Sequence, residues 1–278
     1  MKMRMIMIFG LLTVVAGVAP AQSPPDSPPG YRWEVNEDLT DEFNGTTLDK
    51  AKWHDHNPKW AGRKPGKFVP SAVSVKDGYL QIQCTPLDRP ENGYTIACGA
   101  VQSKSREALY GYYECRMKAS RLTTSTVFWM AGDTVEIPGG SLKQELLIQL
   151  TIGNSKQFKS QMKSNAMSAL QRSGEERQKV KATGRAELKS GVADKFHTYG
   201  CWWIDANTMK FYADGIHVYT INPSTEFDAK PFRHPLAIIL NCATFDWQPL
   251  PSDSELRDPD RNTAYFDYVR AYKLVKDD

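Results

Sequence analysis

A charge excess of one sign is what this chain most conspicuously lacks. Across 278 residues, 35 Lys and Arg stand against 32 Asp and Glu, a formal balance of +3. An excess that small carries no nucleic-acid footprint by itself. Metal-binding spacing is missing as well. The cysteines, Cys84, Cys98, Cys115, Cys201 and Cys242, form no C-x-x-C pair and no cluster with histidine, which argues against a zinc site. Nothing in the sequence demands a cofactor. No repeat of fixed period is visible, and past the N-terminus no apolar run resembles a membrane-spanning helix. Helical patterning is scarce. The one helix-like stretch, Met167 to Lys181, is polar and poorly amphipathic, which predicts a loop with at most a short helix.

The N-terminus is the exception to the missing apolar runs. Lys2 and Arg4 precede an apolar run from Met5 to Val18, and Ala19-Pro20-Ala21 supplies an A-x-A cleavage site. This is the layout of a secretory signal over residues 1–21. The run falls short of the ~20 residues that span a bilayer, so cleavage is expected rather than anchoring. Residues 22–30, containing Ser-Pro-Pro-Asp-Ser-Pro-Pro-Gly, then read as a stiff extended linker, and residues 31–278 as one domain. The mature protein is expected to be soluble, secreted or periplasmic, and monomeric. Export matters for the cysteines. Their odd number leaves at least one free or paired between chains. A hairpin across Thr85–Gly93 would set Cys84 beside Cys98, either as a disulfide or as two buried thiols.

What the sequence has in abundance is strand pattern. SAVSVKDGYLQIQC, GYYECRMKAS, FHTYGCWWID, TMKFYADGIHVYTIN, PLAIILNCAT and AYFDYVRAYKLV all alternate or run β-branched and aromatic, between Gly, Asn, Asp and Pro. Asp214-Gly215 between two such runs is a hairpin signal. Many short strands in one chain of this length predict an all-β, two-sheet antiparallel sandwich. Within this pattern, KQELLIQLTIG (Lys143–Gly153) places one acid, Glu145, in an otherwise apolar segment.

Four stretches taken in order resemble glycoside hydrolase family 16: LTDEFNGTTLDKAKW (Leu39–Trp53), YGYYECRMKASRLTTSTVFWM (Tyr110–Met130), FHTYGCWWIDANTMKFYADG (Phe196–Gly215) and NTAYFDYVRAYK (Asn262–Lys273). NPKWAGRKPGKFVPSAVSVKDGYL narrows the likeness to the agarase and porphyranase branch. The resemblance implies a β-jelly roll, concanavalin-like, with a concave glycan cleft, and red-algal galactan as the partner. It also implies the motif E-x-D-x-x-E, with a nucleophile, a tuning Asp and a general acid/base. A retaining glycosidase needs an ionised carboxylate and a proton-bearing one ~5 Å apart. A β-bulge lets the first, third and sixth positions share a face.

On that template Glu145 takes the nucleophile position, Leu147 the Asp position and Leu150 the acid/base position. Leucine neither donates a proton nor activates water. Gln149, one place early, carries an amide. Glu136 and Asp246 are loop acids that a relocated acid/base would have to come from, and a hydrogen-bonded core carboxylate is the plain structural alternative for Glu145. Agarase-like relatives carry Ser-Asn-Thr-His soon after the motif, and Met167 of Lys163–Met167 stands where the His would be.

For sugar binding the resemblance points to Trp60, Arg63, Trp129 and Trp247, since apolar sugar faces stack on aromatic rings and hydroxyls need polar partners. Core packing is the alternative for each tryptophan, and Trp53, Trp202 and Trp203 are assigned to the core. His54 and His56 face either the cleft or solvent. Between Ser155 and Lys189 the basic residues Lys156, Lys159, Lys163, Arg172, Arg177, Lys179, Lys181, Arg185 and Lys189 outnumber Glu175, Glu176 and Glu187. Such a stretch suits sulfate esters or simply a solvated surface. The reading is a secreted galactan-binding protein with weak or no hydrolysis. An active endo-acting hydrolase and an exported structural domain stand as rivals.

Overall fold

The alternation expected of half-buried strands runs through most of residues 24–277, which this computed structural model describes. In chain order the strands are β1 Tyr31–Val35, β2 Trp53–His54, β3 Gly66–Phe68, β4 Val73–Lys76, β5 Tyr79–Gln83, β6 Thr85–Glu91, β7 Tyr94–Ser103, β8 Gly111–Lys118, β9 Ser125–Ala131, β10 Val135–Ile137, β11 Gly140–Ile152, β12 Gln161–Gln171, β13 Gln178–Glu187, β14 His197–Asp205, β15 Thr208–Ala213, β16 Ile216–Ile221, β17 Ala237–Ala243 and β18 Thr263–Lys276. One sheet has the order β16-β15-β14-β8-β18-β5-β4, with β1 on β18. The other has the order β13-β12-β11-β9-β17-β7-β2, with β10, β3 and β6 attached. Apart from a short parallel pairing of β3 with β7, neighbours are antiparallel. The two sheets stack as the β-jelly-roll sandwich the sequence predicts.

Period two makes the core. Phe128, Met130, Leu146, Ile148 and Leu240 point from the second sheet toward Cys115, Met117, Tyr199, Trp203 and Phe266 of the first, and all are buried. The intervening residues of β9, β11 and β17 are thereby driven to the outer face. Between β15 and β16, Asp214 (φ 49°) and Gly215 (φ 79°) make the expected hairpin turn, with the two positive φ values that match strand twist.

Two local expectations change, and the open cysteine alternative is settled. Met167–Lys181 is no loop: it belongs to β12, a turn and β13, with full antiparallel register from Gln161↔Glu187 to Leu170↔Gln178. Small residues on one face of β13 (Ala182, Gly184, Ala186) hide a period of two behind a polar composition. Gly184 is where the Tyr219 ring packs, and a Cβ there would lie 2.4 Å from it. Cys84 and Cys98 do lie side by side, Sγ–Sγ 3.6 Å, but as free buried thiols. Trp53 and Trp203 are buried, whereas Trp202 turns out from the first sheet against Trp33, ring centres 5.5 Å apart. Residues 24–30, part of the expected linker, touch the domain. Trp33 Nε1 donates to the Pro25 carbonyl (2.6 Å) and Asp277 N to that of Gly30 (3.0 Å). The expected signal at 1–21 lies outside the described residues.

Candidate functional site

Three strands floor a groove of about 590 Å³ on the outer face of the second sheet. On β11 the register slips between Leu147 and Gln149, a β-bulge at Ile148. Glu145 pairs with Ala131, Leu147 with Trp129 and Leu150 with Val127. Those β9 residues in turn face Ala237, Ile239 and Asn241 of β17. Without the extra residue Leu150 would turn inward, because strand side chains alternate. With it, Glu145, Leu147 and Leu150 all line the groove.

The leucines complete an apolar floor. Leu150, 6% exposed, clusters with Val127, Trp129, Ala131 and Ile239, and Trp60, Leu147 and Phe245 pack on them. The indole N–H of Trp129 donates to Asn241 Oδ1 at 2.7 Å, which fixes its ring as part of that floor. Trp60 stands edge-on to Trp129 (6.3 Å between centres) and to Phe68 (4.9 Å). It is half-buried, so it is both wall and packing. Its loop turns back at Gly62 (φ 107°), where a Cβ would meet the Gly66 carbonyl at 2.5 Å. Arg63 stacks over Phe245 at 4.5 Å and pairs with Asp246 at 3.1 Å.

Charge is sparse on this floor. Glu145, 20% exposed, sits 3.3 Å from Lys143 Nζ. Asp133 is the other carboxylate among the lining residues. It is bonded to Lys59 and, at 3.0 Å, to Arg106 Nε. The Lys59 hydrogen bond chiefly, with Arg106 helping, holds its carboxyl below the usual range. An acid so stabilised in its ionised form is a poor proton donor. Met167 of β12 lies directly opposite Glu145, so the residue standing where the resemblance places a His is the cross-strand neighbour of the retained motif glutamate.

Trp60, Arg63, Trp129, Glu145, Leu147 and Leu150 are therefore brought together. Trp247 stands outside the lining, 49% exposed, with its ring 4.8 Å from Phe245 and 5.3 Å from Phe158. It extends the aromatic surface from the groove toward β12. Asp246 and Glu136 do not line the groove; Asp246 is engaged by Arg63 and Glu136 sits on the short β10. His54 and His56 pair edge to edge away from it. Partial burial lowers the His54 pKa, and His56 bonds Asp55 at 2.8 Å. Sequence reasoning missed Asn241, Gln102 and the Lys59–Asp133–Arg106 clamp. Asn241 carried the signal that Glu145 did, a polar residue in the apolar run AIILNCA. The clamp joins three distant segments and left no local trace.

A profile of the beta-porphyranase A–D glycoside hydrolase family 16 domain matches residues 33–274. The chain is 44% identical to beta-porphyranase B of Phocaeicola plebeius over 282 residues, 90% of this chain and 88% of that one. It is 42% identical to beta-porphyranase E of Zobellia galactanivorans over 255 residues, 89% and 90% of the two chains. The crystal structure of a beta-porphyranase from the human gut bacterium Bacteroides plebeius superposes with a TM-score of 0.87 at 43% identity, covering 91% of this chain and 96% of that one.

Proposed function

The chain belongs to the beta-porphyranase group of glycoside hydrolase family 16, and from that premise we propose that it is an exported protein that binds a red-algal galactan in its groove and hydrolyses it weakly or not at all. Similarity to enzymes named beta-porphyranase supports the ligand class. The carrying observation for the loss of hydrolysis is chemical. Two of the positions that share the groove face with Glu145 are leucines packed into an apolar floor.

Retaining hydrolysis needs a second carboxyl within about 5 Å of the nucleophile to protonate the leaving oxygen and later to activate water. Leu150 offers neither function, and losing general acid/base help slows such a step by about 10²–10⁴-fold. Asp133, the other carboxylate in the groove, is held ionised by two cations. Binding does not depend on that chemistry. Trp60 and Trp129 offer ring faces and edges, and Asn241, Gln102 and Arg63 line the same groove with polar groups. Leu147 and Leu150 add apolar surface for a sugar face.

The test is a paired assay. Porphyran and agarose gels should retain the protein during native electrophoresis, while reducing ends fail to accumulate over hours. Family-typical release from any red-algal galactan, abolished by Glu145→Gln, would show an active hydrolase with a relocated acid/base. Absence of retention on every galactan would leave the rival of a structural domain.

A further inference from the structure

A second cavity, of about 380 Å³, opens where four connections meet at one end of the sandwich, and it shares no lining residue with the groove. Arg121 reaches it from the β8–β9 connection, Lys159 from β11–β12, Asp194 from β13–β14, and Arg261 from the short helix Pro259–Asn262. Main-chain bonds hold the walls. Arg121 N donates to the Arg261 carbonyl (2.7 Å), Asn154 N to that of Leu122 (2.9 Å) and Val192 N to that of Lys159 (2.8 Å). The approach is close enough that a Cβ on Gly153 would run into the Ser120 carbonyl, and one on Gly191 into the Asp194 carboxylate.

Three cations line this cavity against one carboxylate. Gathering like charges costs repulsion, and here the relief is incomplete. Asp194 reaches Arg121 Nη1 at 3.3 Å, yet both side chains are more than half exposed, and such pairs hold weakly. Lys159 makes no ion pair among the described residues, and its main-chain N–H donates to the Ser155 carbonyl. Arg261 directs Nη2 at Glu255 Oε1 (2.7 Å) and the Arg121 carbonyl (3.5 Å). That leaves its Nε–H buried with no acceptor, whereas buried donors are as a rule bonded. Donors exceed acceptors around this cavity, and what is missing is negative charge.

We propose that the cavity is a binding site for a small free tetrahedral oxyanion, sulfate or phosphate, held by Arg121, Lys159 and Arg261 independently of the groove. Cations delivered from three separate segments suit an ion with acceptor oxygens on several sides, whereas a planar carboxylate is satisfied by a single guanidinium fork. The volume accommodates the ion with several waters, each taking about 30 Å³. The bound ion competes with Asp194 for Arg121 and ties three strand connections to the helix that carries Arg261. Its occupancy is therefore linked to the stability of this end of the domain.

The experiment titrates sodium sulfate and sodium phosphate into the full chain by calorimetry and follows melting in parallel, with sodium chloride at matched ionic strength as the control. Sulfate and phosphate should bind saturably and raise the melting temperature where chloride does not. Arg121→Gln/Lys159→Gln should weaken binding about tenfold or more, as loss of charge-assisted hydrogen bonds implies. Asp194→Asn, which removes the competing carboxylate, should strengthen it. Lys181→Gln/Arg185→Gln on β13, outside the cavity, should leave it unchanged. No saturable binding at millimolar sulfate or phosphate would overturn the proposal, as would an affinity that the Arg121/Lys159 variant does not lower. Equal loss in the β13 variant would reduce the effect to diffuse attraction by a basic surface, and the site would fall. Displacement of the free ion by a sulfated galactan oligosaccharide would show that the cavity reads a polymer-borne group, which also refutes a free-anion site. If the Arg121/Lys159 variant does not fold, Asp194→Asn decides alone: tighter binding supports the site, and unchanged or weaker binding overturns it.

Discussion

Leu147→Asp with Leu150→Glu is the perturbation that most directly tests the blocked-chemistry reading. The bulge at Ile148 already turns positions 145, 147 and 150 to one face, so no backbone change is needed to complete a carboxylate trio. Leu150 is 6% exposed and packs on Val127, Trp129 and Ile239. Replacing it removes burial worth roughly 1.5–3 kcal/mol. Leu147, already half-buried at the rim of that cluster, should lose less, about 1 kcal/mol. In a domain of this size each kcal/mol moves the melting temperature by about 2–4 °C, so a fall of roughly 5–15 °C is expected. The same apolar surroundings favour the protonated form of a carboxyl at position 150. A general acid must hold its proton near neutral pH, so the stability loss and the catalytic gain share one cause. Reducing-sugar release on a panel of red-algal galactans should rise from the parent to Leu150→Glu and further to the double variant, by about 10²–10⁴-fold in total. A double variant that folds and binds porphyran yet releases nothing would refute the reasoning and turn attention to Met167, opposite Glu145. Family-typical release by the parent would refute it from the other side.

Trp60→Ala and Trp247→Ala should each weaken oligosaccharide binding in calorimetry by about 1–3 kcal/mol. Trp60→Ala should also lower the melting temperature, because Trp60 packs on Phe68 and Trp129; unchanged affinity with lowered stability would make it packing alone. Asp133→Asn should loosen Lys59 and Arg106 on the groove rim, cutting affinity by about 1 kcal/mol or less with little change in melting, as half-exposed ion pairs behave. Unchanged affinity would show that this clamp does not shape the groove. Glu114, fully buried on β8 with both carboxyl oxygens lacking a hydrogen-bond partner and Arg270 Nη1 at 3.9 Å, has its pKa pushed up by burial to about 7. Its folded value lies above its unfolded one, so its neutral form contributes fully at low pH, and that contribution is lost as pH rises through about 7. Glu114→Gln should therefore flatten the decline that runs from acid pH up to about 7, leaving the variant more stable than the parent at pH 9 relative to pH 4 by on the order of 3 kcal/mol in denaturant titration. A parent whose stability does not fall between those pH values would contradict the burial argument.

Period-two alternation, turn residues and an ordered set of family stretches were enough to reach the all-β sandwich, the branch of the family and the shared face of Glu145, Leu147 and Leu150. These are local properties: a strand's faces follow from its own residues, and a bulge needs only one extra. The tertiary structure decided everything that depends on partners far along the chain. Composition made Met167–Lys181 look like a loop, yet Gly184 is small because the partly buried Tyr219 ring packs there, and Ala182 packs against the core. Adding a Cβ at 184 would meet the Tyr219 ring, a constraint invisible from β13 alone. The same register aligned Lys163, Lys181 and Arg185 beside the groove and set Met167 opposite Glu145. Asp133 acquired its two cations from segments beginning at Asn57 and Lys104, and Trp247 reached Phe158 across a strand connection. Alternation is written along the chain, whereas register and long-range charge pairing exist only once sheets have chosen their neighbours.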